Sequence, residues 1–125
     1  TQKKLTTEKP NLNYVTALEK MMDEISPGDY DFRNELATLY IDNLSELDQQ
    51  LSKSIETNDL NVAKIITHKV KTAVTMIDIS PLSVAVDNSM QYLEKEIGDK
   101  DQIIRDLKTI VQEVKTALKA VIVNS

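Results

Sequence analysis

The stretch Leu60-Asn61-Val62-Ala63-Lys64-Ile65-Ile66-Thr67-His68-Lys69-Val70-Lys71-Thr72-Ala73-Val74-Thr75-Met76-Ile77 decides the fold. A helix turns by about 100° per residue, so positions three or four apart share a face. Leu60, Ala63, Ile66, Val70, Ala73 and Ile77 then form one apolar stripe. Asn61, Lys64, His68, Lys71, Thr72 and Thr75 form a polar stripe that carries lysines and the only histidine of the chain. The pattern predicts one long third helix, buried on one side, with the imidazole on the solvent side.

Thr57-Asn58-Asp59 reads as a polar turn that caps this helix, and Ser80-Pro81 closes it. Proline pushes Ser80 away from helical geometry and itself suits the first position of a fourth helix. Upstream, Phe32, Leu36, Leu39, Tyr40, Leu44, Leu47, Leu51 and Ile55 mark a long second helix that starts near Asp29 or Asp31. Leu12, Val15, Leu18, Met22 and Ile25 mark a shorter first helix, ended by Ser26-Pro27-Gly28. Downstream, Leu82, Val86, Ser89, Leu93 and Ile97 mark the fourth. Gly98-Asp99 stops it and caps a fifth, whose stripe is Ile103, Leu107, Ile110, Val114, Ala117 and Val121.

Alternation at period two is absent, so no sheet is expected. Long helices joined by short turns run antiparallel to their neighbours. The expected fold is therefore all-α: an antiparallel up-down-up-down four-helix bundle with a short additional N-terminal helix. Residues 1–10 are polar and aperiodic and read as a linker or frayed end; residues 11–125 form a single domain.

Composition narrows the chemistry. With 125 residues, 41% apolar and 28% charged, one globular core is expected. There is no cysteine, hence no disulfide framework and no thiolate metal site. A single histidine excludes His-rich metal sites and most Ser-His or Cys-His arrangements. The di-metal site of some bundles needs Glu-x-x-His on two helices, and residue 65 is Ile. Two isolated glycines build no phosphate loop, and the chain has no ATP-binding or kinase motif. The net charge of −5 and the scattered lysines argue against a nucleic-acid partner. The apolar runs are too short to span a bilayer, so no direct membrane contact is expected. Glu46, Asp48, Asp87 and Glu94 read as solvated carboxylates, and the four methionines as fillers of core gaps.

His68 remains. A neutral imidazole is a nucleophile near neutral pH; it accepts a phosphoryl group and releases it again. Such a carrier needs exposure, a cation against the phosphate charge, and low neighbours that let a partner's active site close over the ring. Lys71, one turn on, supplies the cation, and Lys64, one turn back, adds a second. Thr72 and Thr75 keep the face low, and Ile65 offers an apolar contact for a docking partner.

These residues resemble the histidine-containing phosphotransfer (HPt) domains of multistep two-component phosphorelays. Their pattern runs roughly Ala-His-x-Leu-Lys-Gly, then small residues, an aliphatic and Gly; Thr67-His68-Lys69-Val70-Lys71-Thr72-Ala73-Val74-Thr75-Met76-Ile77-Asp78 aligns with it without a gap. Leu51-Ser52-Lys53-Ser54-Ile55-Glu56-Thr57-Asn58-Asp59 is similar to the helix end and turn before the histidine, and Gln91-Tyr92-Leu93-Glu94 to a Leu-Glu on the next helix. The resemblance covers about residues 30–120 and departs from the pattern at Thr67, at Thr72 for Gly and at Asp78 for the second Gly.

The resemblance implies that His68 is phosphorylated on Nε2, that Lys71 steadies the phosphoryl group, and that the chain is a carrier rather than a self-standing catalyst. Implied partners are receiver domains of response regulators or of a hybrid sensor kinase. The domain needs no cofactor of its own, since the magnesium ion belongs to the receiver. An isolated monomer is expected, in the cytoplasm. The polar start at Thr1 suggests the C-terminal domain of a membrane-anchored hybrid kinase. Two other readings stand beside this one. A kinase dimerisation and phosphoacceptor domain usually has an acidic residue after the histidine, where this chain has Lys69. A helical adaptor or dimerisation module would carry an incidental surface histidine.

Overall fold

Asn11, Asp29, Asp59 and Asp99 each turn a side-chain oxygen back onto an amide of the helical turn that follows, with acceptor distances of 3.1, 3.0, 3.2 and 3.1 Å. Each satisfies a donor that a helix start would otherwise leave orphaned. These caps set four of the six helices found among the described residues, 9–122, of the computed structural model: α1 (Leu12–Ile25), α2 (Tyr30–Thr57), α3 (Leu60–Lys69), α4 (Lys71–Ile77), α5 (Ser80–Lys95) and α6 (Lys100–Val121). No strand occurs among those residues, so the fold is all-α. Most of the expected linker, residues 1–8, and the last three residues lie outside them. None of the described helices is long and apolar enough to cross a membrane.

The packing follows from the apolar stripes. α2 packs against α3 and α6, and α5 packs against the same two helices, which closes a ring of contacts. α1 lies along α6 and touches α4. The turn at Asn58–Asp59 reverses the chain, so α3 runs back along α2, and a Lys69–Glu46 ion pair of 2.9 Å ties the end of α3 to the middle of α2. The core holds Leu44, Leu47, Leu51 and Ile55 of α2, Ala63 and Ile66 of α3, Leu82 of α5, and Leu107, Val114 and Leu118 of α6. Met22 is buried and the other three methionines are partly buried against this core, as gap-fillers are.

Several expectations change. The third helix is not continuous: Val70, with φ −100° and ψ 9°, separates α3 from α4. The ladder still passes through it, from the Val70 N–H to the Ile66 carbonyl (3.1 Å) and from the Val74 N–H to the Val70 carbonyl (3.0 Å), so the break is a local distortion. One turn earlier the Thr67 hydroxyl donates to the carbonyls of Ala63 (2.9 Å) and Lys64 (3.2 Å). Such back-bonding bends helices, and here it acts where no proline or glycine is present.

In α2 the buried arc begins with Arg33 and Ala37, while Phe32 and Leu39 are exposed. Arg33 is admitted because its guanidinium pairs with Asp23 of α1 at 2.7 Å and lies 4.8 Å from the Tyr30 ring centre. Its aliphatic stem then counts as apolar surface. Leu12, Ile25 and Ile97, all assigned to stripes, are exposed because they sit at or beyond helix ends.

The boundaries of α5 also move. It starts one residue before Pro81, at Ser80, with Ile79 as its cap. It stops at Glu96, left-handed at φ 56°, rather than at Gly98. Asp78 ends α4 in the same left-handed conformation, at φ 52°.

Candidate functional site

His68 occupies the last turn of α3, two residues before the break at Val70, and is exposed as the polar stripe requires. No hydrogen bond or ion pair engages its ring among the described residues. The rotation of α3 that presents it is fixed from two sides. Ala63, Ile66 and Val70 are buried beneath it, and Lys69 reaches across to Glu46 on α2. That ion pair is more than a third exposed at both ends, so it contributes little stability and serves mainly to register the helices.

Beside the ring runs a groove of about 400 Å³ between the α3–α4 segment and α5. Lys64, Thr67, His68, Lys71 and Thr75 line one wall. Val70 and Val74 belong to the same wall at greater depth, the first buried and the second half-buried. Ser83, Val86, Asp87 and Met90 of α5 form the other wall.

The structure therefore brings together His68, Lys71, Lys64 and Thr75. It leaves Ile65, which is 68% exposed, and Thr72 on the surface outside the groove. Neither Lys64 nor Lys71 is in an ion pair among the described residues, so both ammonium groups are available to an anion. Because Val70 intervenes, Lys64 and His68 share one helix while Lys71 belongs to the next.

On α5, Val86, assigned to the buried stripe, is only half-buried, and with Ser83, Asp87 and Met90 it forms a groove wall that the sequence reading did not assemble. Ser83 is three or four residues from Val86 and Asp87, and Met90 four or three beyond them, so the four share a face that flanks the buried stripe of Leu82, Ala85, Ser89 and Leu93. That spacing was legible; what was missing is which helix lies beside the histidine. Of the carboxylates read as solvated, Glu46 is engaged by Lys69 and Asp48 by Lys108 and the Ser52 hydroxyl. Glu94 is exposed, and Asp87 faces the groove.

A larger groove of about 700 Å³ lies between Lys9 and Asn11, ahead of α1, and Lys108 to Thr116 of α6. It is lined by no histidine or cysteine and by no apolar residue, so volume does not select the site here; the placement of chemistry does. No three histidine, aspartate or glutamate side chains among the described residues are grouped to hold a metal ion.

The arrangement suits an anion presented to an exposed imidazole from outside. It has a nucleophile, two unpaired cations, hydroxyls of low profile, and a partly apolar wall that a second surface can cover. No family model, no curated protein and no solved structure matches the chain.

Proposed function

We propose that this chain is a histidine phosphotransfer domain, relaying a phosphoryl group between receiver-domain aspartates through His68. The observation that carries the reading is the exposed, unengaged imidazole of His68 on the rim of a groove that also holds Lys64 and Lys71. On this reading α2, α3–α4, α5 and α6 are the members of an antiparallel four-helix bundle of the HPt kind, and α1 is the additional N-terminal helix. The ring of helix contacts supports that arrangement, as does the histidine segment.

The chemistry asks little of the domain itself. A receiver presents a phosphoaspartate; the imidazole nitrogen attacks phosphorus, the acyl-phosphate P–O bond breaks, and the carboxylate leaves. The ammonium groups of Lys71 and Lys64 offset the charge of the transferring phosphoryl oxygens. The magnesium ion that such transfer uses sits on the receiver. Ile65 and Thr72 lie outside the groove yet on the same exposed side of the segment, where a receiver surface would extend past the reacting atoms. On this reading the domain acts in the cytoplasm as a monomer, with receiver domains of response regulators or of a hybrid sensor kinase as partners.

The test is incubation with a phosphorylated receiver domain, followed by detection of acid-labile, alkali-stable phosphate. Wild type takes the label, and His68→Gln does not. An exposed polar substitution of this kind changes stability by no more than about 0.5 kcal/mol, so the thermal melt stays in place. Label on His68→Gln, or none on wild type from any receiver or chemical donor, refutes the assignment.

A further inference from the structure

We propose that Asp87 of α5 shortens the lifetime of a phosphoryl group carried on His68, making this a quick-release carrier. The inference rests on the reading of His68 as the phosphoacceptor. Asp87 lines the same groove as His68, Lys64 and Lys71, and no ion pair holds its carboxylate among the described residues. The charged groups that line this groove are thus two lysines on the histidine wall and one carboxylate on the facing wall. On the other side of α3, Lys69 is already engaged by Glu46.

A phosphoryl group on the ring changes that balance. The imidazole gains a dianionic substituent inside a groove whose far wall carries a fixed negative charge. Part of the neutralisation that Lys64 and Lys71 provide is then cancelled, and the bound state is raised in energy.

The same carboxylate favours loss of the group by a second route. In hydrolysis, water attacks phosphorus, an O–P bond forms, and the P–N bond breaks with its electron pair returning to the imidazole. The products are hydrogen phosphate and a neutral imidazole bearing one proton. The ring leaves more readily when its other nitrogen is already protonated, and a nearby carboxylate stabilises that cationic form. Repulsion of the phosphoryl group and stabilisation of the protonated phosphohistidine ring, from which neutral imidazole departs, act in the same direction. In a groove open to solvent both are screened, so the effect is modest and depends on salt.

The experiment loads His68 with potassium phosphoramidate, a small donor that requires no docking partner, and follows decay of the phosphohistidine signal by phosphorus NMR. Wild type is compared with Asp87→Asn, Asp87→Lys and, as a carboxylate control on α1, Glu19→Gln. At low ionic strength Asp87→Asn is expected to lengthen the half-life about two- to five-fold, and Asp87→Lys further. The difference narrows in about 0.5 M salt, and Glu19→Gln decays as wild type does. Equal decay of wild type and Asp87→Asn at low salt, with normal loading of both, overturns the role of Asp87 and leaves the phosphotransfer reading intact. Failure of folded wild type to load, with phosphoramidate or a receiver as donor, overturns both.

Discussion

Replacing Lys71 by Met removes an ammonium group while keeping most of the side-chain length. The structure sets the size of the effect. Lys71 is exposed and in no ion pair among the described residues, so its removal leaves no buried charge behind and barely alters folding. A single cation aimed at a transition-state oxyanion in a dry site contributes roughly 2–4 kcal/mol. This groove is open to water, and Lys64 lines the same wall, so part of the field survives the substitution. The expected loss is about 1–2 kcal/mol, or about ten-fold in rate.

Lys71→Arg keeps the charge but spreads it over a planar fork, and should retain part of the rate. Lys64→Met should cost less than Lys71→Met but remain measurable. The double variant should lose more than either single variant, with the two effects coupled rather than simply multiplied, because both lysines act on one phosphoryl group in one groove. The assay is single-turnover transfer from a phosphorylated receiver, with melts run on the same samples. If Lys71→Met transfers at the wild-type rate while Lys69→Met is crippled, the phosphoryl group lies on the α2 side of the histidine and the groove assignment is wrong.

Two further predictions concern the scaffold. Arg33→Ala should destabilise by about 2–3 kcal/mol, mostly from the buried stem and the lost stacking on Tyr30. Arg33→Met should recover about half of that, and Asp23→Asn should cost under about 1 kcal/mol because Asp23 is 63% exposed; urea unfolding ranks the three. Glu96→Gly should stabilise by about 0.5–1 kcal/mol by relieving a left-handed residue. Gly98→Ala should do the opposite, because a methyl at φ 112° would meet Ile103 Cδ1 at 2.8 Å; opposite shifts in melting temperature would bear this out.

The sequence by itself determined the all-helical class and the outward face of His68, because both depend on local periodicity. Ala63, Ile66 and Val70 recur at helical spacing whatever they pack against, and that forces His68 and Lys71 to the opposite side. Asp29, Asp59 and Asp99 cap with their own neighbours, so those starts were legible as well; Asn11 caps α1 in the same way but was not read as a cap. Where adjacent arcs competed, local pattern could not choose. In α2 the arc of Phe32 and Leu39 is the more apolar, yet Arg33 and Ala37 are buried, because Asp23 of α1 pairs with the guanidinium while Tyr30, one turn back on α2, lies against it.

The break at Val70 needed the balance between a threonine hydroxyl bonding back to Ala63 and a valine side chain held in the core. The α5 wall of the groove, with Asp87 opposite His68, required knowing which helix lies beside α3. Two stripes of suitable spacing do not state that they face each other; only the closure of α3 and α5 around a shared core decides it.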